Sequence, residues 1–337
     1  MDETPVCVLI LSLVIVLTAC SSQTGGTHTD TTQNNVSRSL TDGIVSGGVP
    51  KDGIPSIDNP AFITADEARL GEDDVVFGVA KNGTAKAYPQ DILVHHEIVN
   101  DQINGNNVSV TYCPLTGTAM GFHRDSTTLG VSGKLVNSNL IMYDRATNSY
   151  FPQILGEAIS GERKGEDLDQ FRVVWTTWKE WKQQHPTTKV LSEDTGFLRD
   201  YNRDPYGSYA PHNGYYANNN MIFPTQHEDD RLDEKDVVYV FKHDNESIAV
   251  TPNRLQNDHV LRTTLNTSTF TFLHDESLKT ARLYNTTGDH NITYTDGSYS
   301  YRGETYTATS LPLEEQPVYD AFWFAWVAFH PDTELYE

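Results

Sequence analysis

Three short clusters carry side chains able to do chemistry: His95-His96-Glu97, the lone Cys113 in Val110-Thr111-Tyr112-Cys113-Pro114-Leu115-Thr116-Gly117, and His123-Arg124 just beyond it. A neutral imidazole beside a thiolate makes either a soft-metal ligand pair or a nucleophile with its base. If the strands on either side of the Pro114 to Gly117 turn pair, Cys113 and His123 approach each other. The alternative is a buried structural thiol with surface or core-satisfied histidines. Adjacent His95 and His96 point to opposite faces of a strand, or about 100° apart on a helix, so one of the two faces any shared site.

Downstream, Asp194-Thr195-Gly196-Phe197 and Arg199-Asp200-Tyr201-Asn202-Arg203-Asp204-Pro205-Tyr206 put charged, aromatic and turn residues into a run without regular periodicity. Irregular polar loops are common places for binding residues. Their structural alternative has Arg199 and Arg203 paired with carboxylates and Asp194 capping a turn. Val131-Ser132-Gly133-Lys134-Leu135 lacks the glycine spacing of a phosphate loop, and paired-cysteine zinc patterns, nucleophile elbows and His-Glu-X-X-His are absent. The sequence names no cofactor and no metal.

The elements that must position these residues read mostly as strands. Asp74 to Leu93 lines up with Asp236 to Leu255: each copy reads as strand, turn, strand and a Pro-led short segment, with turns at Lys81-Asn82-Gly83 and His243-Asp244-Asn245-Glu246. Two such hairpins suggest a duplicated or pseudo-symmetric architecture. Val108, Val110 and Tyr112 alternate with Ser109, Thr111 and Cys113, which predicts a strand with one apolar and one polar face, ended by Pro114. A helix is predicted after Thr177, with Glu180 completing a capping box and His185-Pro186 as the stop. A second runs from Asp91 to Ile98, and a β-meander follows Asn257. Ala321 to Phe329 is apolar all round but only half a membrane span, so it reads as a buried segment sealing the core. The expected fold class is α+β, predominantly antiparallel β with a few short helices.

The 337 residues carry 46 acidic against 24 basic side chains, a formal charge of −22 spread along the chain. That argues against a nucleic-acid partner and suits a surface adapted to high salt, where screening removes self-repulsion. Cys7 lies in the apolar run Val6 to Val16, which ends in Leu17-Thr18-Ala19-Cys20 and resembles a lipoprotein box, although Asp2 and Glu3 stand where a positive start is usual. On this reading residues 1–19 are a signal peptide and Cys20 is lipidated. Residues 20–50, rich in Ser, Thr, Asn and Gly, form a flexible tether, and 51–337 form one large globular domain on the outer face of the cytoplasmic membrane. Cys113 is then alone, without a disulfide partner. Asn-X-Ser/Thr acceptors at Asn35, Asn82, Asn107, Asn245, Asn266, Asn285 and Asn291 are compatible with a surface glycoprotein.

From Ile54 onward the chain resembles the domain of unknown function 3179 family, in the form of an acidic, haloarchaeal-type cell-surface lipoprotein. The carriers are Ala87-Tyr88-Pro89 with Ile92-Leu93, His96-Glu97-Ile98-Val99-Asn100-Asp101, Val110 to Leu115 with Gly117-Thr118-Ala119, Gly130 to Leu135, Asn137 to Leu140, Met142-Tyr143-Asp144-Arg145, Asp194 to Phe197 and Arg199-Asp200-Tyr201. The resemblance brings no assigned reaction. Members of that family typically read Cys-Pro-Leu-Cys-Gly where this chain has Thr116, so the dithiol or half metal site that a second thiol would permit is lost here. His96 takes the family's histidine position, and His95 falls where members tend to carry tryptophan.

Three functions follow as expectations. The first is a ligand- or ion-binding surface lipoprotein with a site lined by His96, Cys113, Tyr143, Asp144, Asp194, Arg199, Tyr201 and Arg203. The second is a thiol enzyme using Cys113 with His96 or His123 as base. The third is a structural envelope component.

Overall fold

The computed structural model describes residues 1, 40–288 and 291–337, and there the chain is mostly antiparallel β-sheet with a few short helices. The hairpin expected near 74–93 forms from Val75–Lys81 and Thr84–Pro89, turning at Asn82 and Gly83, both at positive φ. Helix α1, Gln90–His96, follows at once and stops at Glu97, whose φ of 59° turns the chain into the strand Ile98–Ile103. A helix running on to Ile98 is therefore two residues too long: the left-handed cap ends it. Farther along, Val237–His243 and Glu246–Val250 form the second hairpin, before helix α3, Pro252–Asp258.

Each hairpin is the centre of a sheet. Val174–Thr177 lies antiparallel on the outer side of Val75–Lys81, while Lys189–Leu191 runs parallel to Thr84–Pro89 and carries Phe62–Thr64 at the edge. Around the second hairpin, Tyr319–Phe322 and Glu334–Tyr336 hold the antiparallel and parallel places. Helix α2, Trp178–Gln184, joins one flanking pair, and helix α4, Trp323–Phe329, joins the other. Half of the predicted capping box of α2 forms: Thr177 Oγ1 accepts from Glu180 N at 3.4 Å, while the Glu180 carboxylate turns to Lys279 Nζ at 2.6 Å. All seven residues of α4 are buried, as its uniformly apolar sequence requires.

Trp181 lies over the hairpin strand at Gly78, where an added Cβ would overlap the indole ring. Gly78→Ala is expected to lower stability by roughly 1–3 kcal/mol through overpacking. Adding Trp181→Leu should make the second substitution cost less than it does alone, as a double-mutant cycle by urea denaturation would record.

A three-stranded meander follows each first helix: Ile98–Ile103, Asn106–Cys113 and Thr118–His123 after α1, and Val260–Leu265, Ser268–Asp275 and Thr280–Asn285 after α3. The strand Asn106–Cys113 does not have a solvated polar face, because Ser109, Thr111 and Cys113 are all buried. Their polar atoms are met inside: Ser109 Oγ donates to Asn100 Oδ1 at 2.7 Å, and Thr111 Oγ1 donates to Met120 O at 3.0 Å and accepts from Gln153 Nε2 at 2.9 Å. A buried hydroxyl with partners is tolerated where an unpaired one is costly.

The tether also ends earlier than expected. Leu40 is buried in the core, and Val45–Ser46 pairs with the strand Leu129–Val136, so residues 40–50 lie on the folded body. Apolar Leu40, Ile44 and Val45 supply surface to bury that the Ser/Thr-rich stretch before them lacks. Cys7, Cys20, Asn35 and every other residue from 2 to 39 lie outside the described residues. No helix among the described residues is long and apolar enough to cross a membrane.

Candidate functional site

Helix α1 and the end of the strand Asn106–Cys113 meet at one backbone bond: Tyr112 N donates to Glu97 O at 2.8 Å, which sets Glu97 beside Cys113. The left-handed backbone at Glu97, a conformation glycine adopts without strain, is held by its own N–H donating to Leu93 O at 2.7 Å. Glu97 is 7 % exposed, and its carboxyl has no hydrogen-bond partner among the described residues. Burial pushes that carboxyl up to about 8, and no cation of the protein opposes the rise.

Cys113 is 1 % exposed, packed in the larger core with its Sγ accepting from Leu140 N at 3.4 Å. Burial, and then the neighbouring Glu97, push the thiol up to about 11. Thr116, standing where the family's second thiol would, is fully buried, its hydroxyl shared with Thr118 Oγ1 at 2.8 Å and Asn139 Nδ2 at 3.1 Å. Near Cys113 lie Tyr206 and Tyr215, whose ring centroids are 6.0 Å apart. Burial raises both phenols, and the proximity of Cys113 adds to each; Glu97 adds to Tyr206. Tyr215 Oη is anchored on Leu115 O at 2.7 Å.

His96 is fully buried and bridges two segments: Nδ1 lies 2.7 Å from Pro55 O and Nε2 2.6 Å from Tyr201 Oη, which lies 2.6 Å from Thr195 Oγ1. A carbonyl can only accept, so the partners assign the proton to Nδ1 and leave Nε2 to accept from the phenol. Burial, with Arg199 and His95 adding to it, lowers this imidazole to about 4, so it is neutral at pH 7. The polar loop does therefore converge on α1: Tyr201 touches His96, Arg199 acts on its charge, and Arg203 O lies 3.0 Å from His95 Nε2. Neither Arg199 nor Arg203 is in an ion pair among the described residues, while Asp194 is exposed and it is Ser192 Oγ that caps the turn, accepting from Asp194 N at 3.1 Å.

Beside the site a second buried polar group ties the cover down. Tyr112 Oη lies 3.1 Å from Tyr209 Oη and donates to Tyr216 Oη at 3.3 Å, and Tyr216 Oη and Gln90 Nε2 both donate to Asp204 Oδ2, at 2.8 and 2.7 Å. Tyr209 and Tyr216 stack with centroids 4.0 Å apart.

His123, Tyr143 and Asp144 lie elsewhere. The hairpin register sets Cys113 opposite Thr118 and His123 opposite Val108, five residues and roughly 17 Å along the strand. The His123 ring packs on Phe171 with centroids 5.0 Å apart. Tyr143 Oη donates to Asp52 Oδ2 at 2.5 Å, in a surface cluster with Arg145 and Asp58. Asp144 accepts from Arg163 Nη1 at 2.7 Å and from Ala146 N at 2.7 Å, a role that fixes a turn.

The sequence reading places Glu97 and Tyr206 in its polar clusters without giving either a site role, and it passes over Tyr215. A trace of them was present: Glu97 stands directly between His96 and the apolar pair Ile98-Val99, where a charge is unexpected, and tyrosines crowd the stretch from Tyr201 to Tyr216. No group of three or more His, Cys, Asp or Glu among the described residues is arranged to hold a metal ion.

A thiol held so high is a poor nucleophile. Iodoacetamide at pH 8 is expected to modify native Cys113 at least about a hundredfold more slowly than the urea-unfolded chain, since the thiolate fraction falls by that order before burial is counted. Equal rates would restore the nucleophile reading.

Residues 51–333 match a family described as "Protein of unknown function (DUF3179)". No curated protein and no solved structure matches the chain.

Proposed function

The chain belongs to the DUF3179 family over residues 51–333, and from that footing we propose that it is an exported, lipid-anchored protein that binds a small ligand at Glu97, beside Cys113 and under Tyr206 and Tyr215. One observation carries the reading: Glu97 is only 7 % exposed, and no group among the described residues hydrogen-bonds its carboxyl, which keeps only a narrow contact with solvent. Folding leaves few such groups unmet, because each costs about 1–3 kcal/mol, and they concentrate where a ligand supplies the missing partner. His96 and Tyr201 position the loop that covers the site, and the ligand enters by displacing that cover. Of the large apolar side chains exposed among the described residues, Phe197, Leu198 and Ile222 lie in or next to this segment.

Anchoring is supported by Leu17-Thr18-Ala19-Cys20 and the polar stretch after it, and an acidic surface of this charge suits high salt. The acceptor residues Asn82, Asn245 and Asn266 are exposed at hairpin turns, which favours glycan attachment there.

The two hairpin units are read as copies of one ancestral unit. Glu97 N bonds Leu93 O at 2.7 Å, as His259 N bonds Leu255 O at 2.8 Å; Tyr112 N bonds Glu97 O at 2.8 Å, as His274 N bonds His259 O at 3.0 Å. Trp181 Nε1 donates to Thr188 Oγ1 at 3.0 Å and Trp326 Nε1 to Thr333 Oγ1 at 2.8 Å, each indole facing a histidine just after its helix, His185 and His330. The contacts between the units are reciprocal as well: Phe322 N donates to Thr116 O at 3.0 Å, and Thr176 Oγ1 to Leu278 O at 2.8 Å. On this reading only the first copy has kept a carboxyl and a thiol at the site position, where the second has His259 and Asp275.

The test is a thermal-shift screen over amines, carboxylic acids, amides and sugars on the chain from residue 40 onward, run on wild type and Glu97→Gln. At least one class is expected to raise the melting temperature of wild type alone, by the linkage of binding to stability. If no class distinguishes the two proteins, the site reading fails.

A further inference from the structure

Apart from the Glu97 site, we propose that the groove between the two units binds a neutral oligosaccharide. The groove measures about 1060 Å³. One wall is the segment 154–170, which leads into the first hairpin sheet, and the other is the turn end of the second hairpin with residues 314–319. That volume is at the upper end for small-molecule sites, and clefts between two packed bodies commonly hold them. Its floor is set by Phe241, Leu168 and Tyr319, all buried, with Tyr319 Oη donating to Ile154 O at 3.3 Å.

The lining selects among ligands. Glu157, Asp167, Gln170, Lys242 and Gln316 all line the groove, and none of the five side chains has a hydrogen bond or ion pair among the described residues. Glu157 and Asp167 stand opposite each other in an antiparallel bridge, held by Leu168 N donating to Gly156 O at 2.8 Å and Ala158 N to Glu166 O at 2.9 Å. Residues so paired have Cβ atoms about 4.5–5.5 Å apart, a spacing that lets two carboxylates accept from neighbouring hydroxyls of one sugar ring. Burial, and then Asp167, raise the Glu157 carboxyl, and donated hydroxyl hydrogens would offset both. Six carboxylates in the lining face one lysine and one histidine, so an anion is repelled. A cation would leave Gln170, Gln316 and the Lys242 ammonium unused. Hydroxyls donate to carboxylates and accept from amides and ammonium alike, and half-buried Leu155 and Pro317 offer apolar contact to the C–H face of a sugar ring. The acidic composition points the same way: the Debye length is about 3 Å at 1 M salt, so charge attraction is screened in the medium this surface suits, while hydrogen bonding to neutral hydroxyls is not.

The groove is separate from Glu97. None of its lining residues belongs to α1, to the strand Asn106–Cys113 or to the covering segment 193–226. A saccharide held by Gln170 on one wall and Gln316 on the other should therefore raise the melting temperature of wild type and Glu97→Gln equally, which keeps the two sites distinguishable.

The experiment probes an array of neutral oligosaccharides with the full chain, held in a detergent without a sugar head group, and then titrates the strongest binder calorimetrically at low and at high sodium chloride. Spermine and citrate serve as cationic and anionic controls. The expected result is saturable binding with a Kd of about 1 mM or tighter. It should change by less than about twofold between the two salt concentrations. Replacing both amides, Gln170→Ala with Gln316→Ala, should weaken binding at least about tenfold and leave the melting temperature of the empty protein where it was, since neither side chain has a partner to lose. Glu157→Gln should weaken it severalfold, and Glu97→Gln should bind as wild type does. An array without a binder, undiminished binding by the doubly substituted protein, or spermine that displaces the saccharide and loses its hold as salt rises overturns the assignment. A saccharide lost in Glu97→Gln but kept when both amides are replaced belongs to the Glu97 site, and the groove proposal then fails while that reading stands.

Discussion

Glu97→Gln is expected to leave stability unchanged near pH 4.5 and to raise it by on the order of 4 kcal/mol at pH 9. Glutamine has the shape of a protonated glutamate, so it fits the empty site as well as the native residue does at low pH. The sign follows from the raised carboxyl. Burial holds Glu97 protonated up to about pH 8, while in the unfolded chain it ionises near its ordinary 4.5. Between those values the folded state binds one more proton than the unfolded state, so stability falls as pH rises, by about 1.4 kcal/mol per unit from this group. Removing the ionisable group removes the slope. His96 acts in the opposite sense on the acid side: lowered to about 4 mainly by burial, it favours the folded state fully above its ordinary 6.5 and loses that contribution as pH falls toward 4. Urea denaturation of wild type and Glu97→Gln at half-unit steps from pH 4.5 to 9 separates the two. Parallel profiles would mean that Glu97 ionises freely in the folded protein, and the site would lose its defining feature.

What the sequence made legible was local. Asn-Gly and Asp-Asn turns between alternating runs placed both hairpins, and Thr177 with Glu180 placed the start of α2, because those signals act within four residues. The burial of Glu97 is tertiary and left only a faint local mark, the charge next to Ile98-Val99, since Tyr206, the phenol it acts on, comes more than a hundred positions later. The bond from His96 to Tyr201 likewise spans 105 positions. The polar face of Asn106–Cys113 was legible as polar but not as buried, because alternation reports which side chains are polar and not whether Asn100, Met120 and Gln153 await them. The distance between Cys113 and His123, by contrast, was readable by register: a turn through Pro114 to Gly117 sets residue 113 opposite 118 and carries 123 to the far end.

Arg282→Met is expected to cost roughly 3–5 kcal/mol, the loss seen when one partner of a buried ion pair is removed. Arg282 and Asp275 have side chains only 10 and 2 % exposed and lie 2.9 Å apart, and Glu315 joins them to Arg172 at 2.8 and 3.2 Å. Arg172 comes from the chain leading into Val174–Thr177, and its Nη1 and Nη2 donate to Val318 O and Thr280 Oγ1, so the cluster fastens the first hairpin sheet to the second meander. Burial alone would raise Asp275; Arg282 and the hydroxyl of Ser277 hold it below the usual carboxylate range instead. Its contribution in wild type is therefore present at neutral pH and lost as pH falls through its folded value. In Arg282→Met the sign reverses, because the uncompensated carboxylate makes stability fall as pH rises from 5 to 8. Asp275→Asn in that background keeps the Oδ1 that accepts from Ser277 N and Leu278 N at 3.1 and 3.2 Å, and should recover part of the loss. An Arg282→Met cost below about 1 kcal/mol, the range of exposed pairs, would mean that the cluster is wet and that other contacts join the two units. In the proposed ancestry, Asp275 occupies the position of Cys113. On that ancestry the same place is a charged rivet between units in one copy and a buried thiol beside Glu97 in the other.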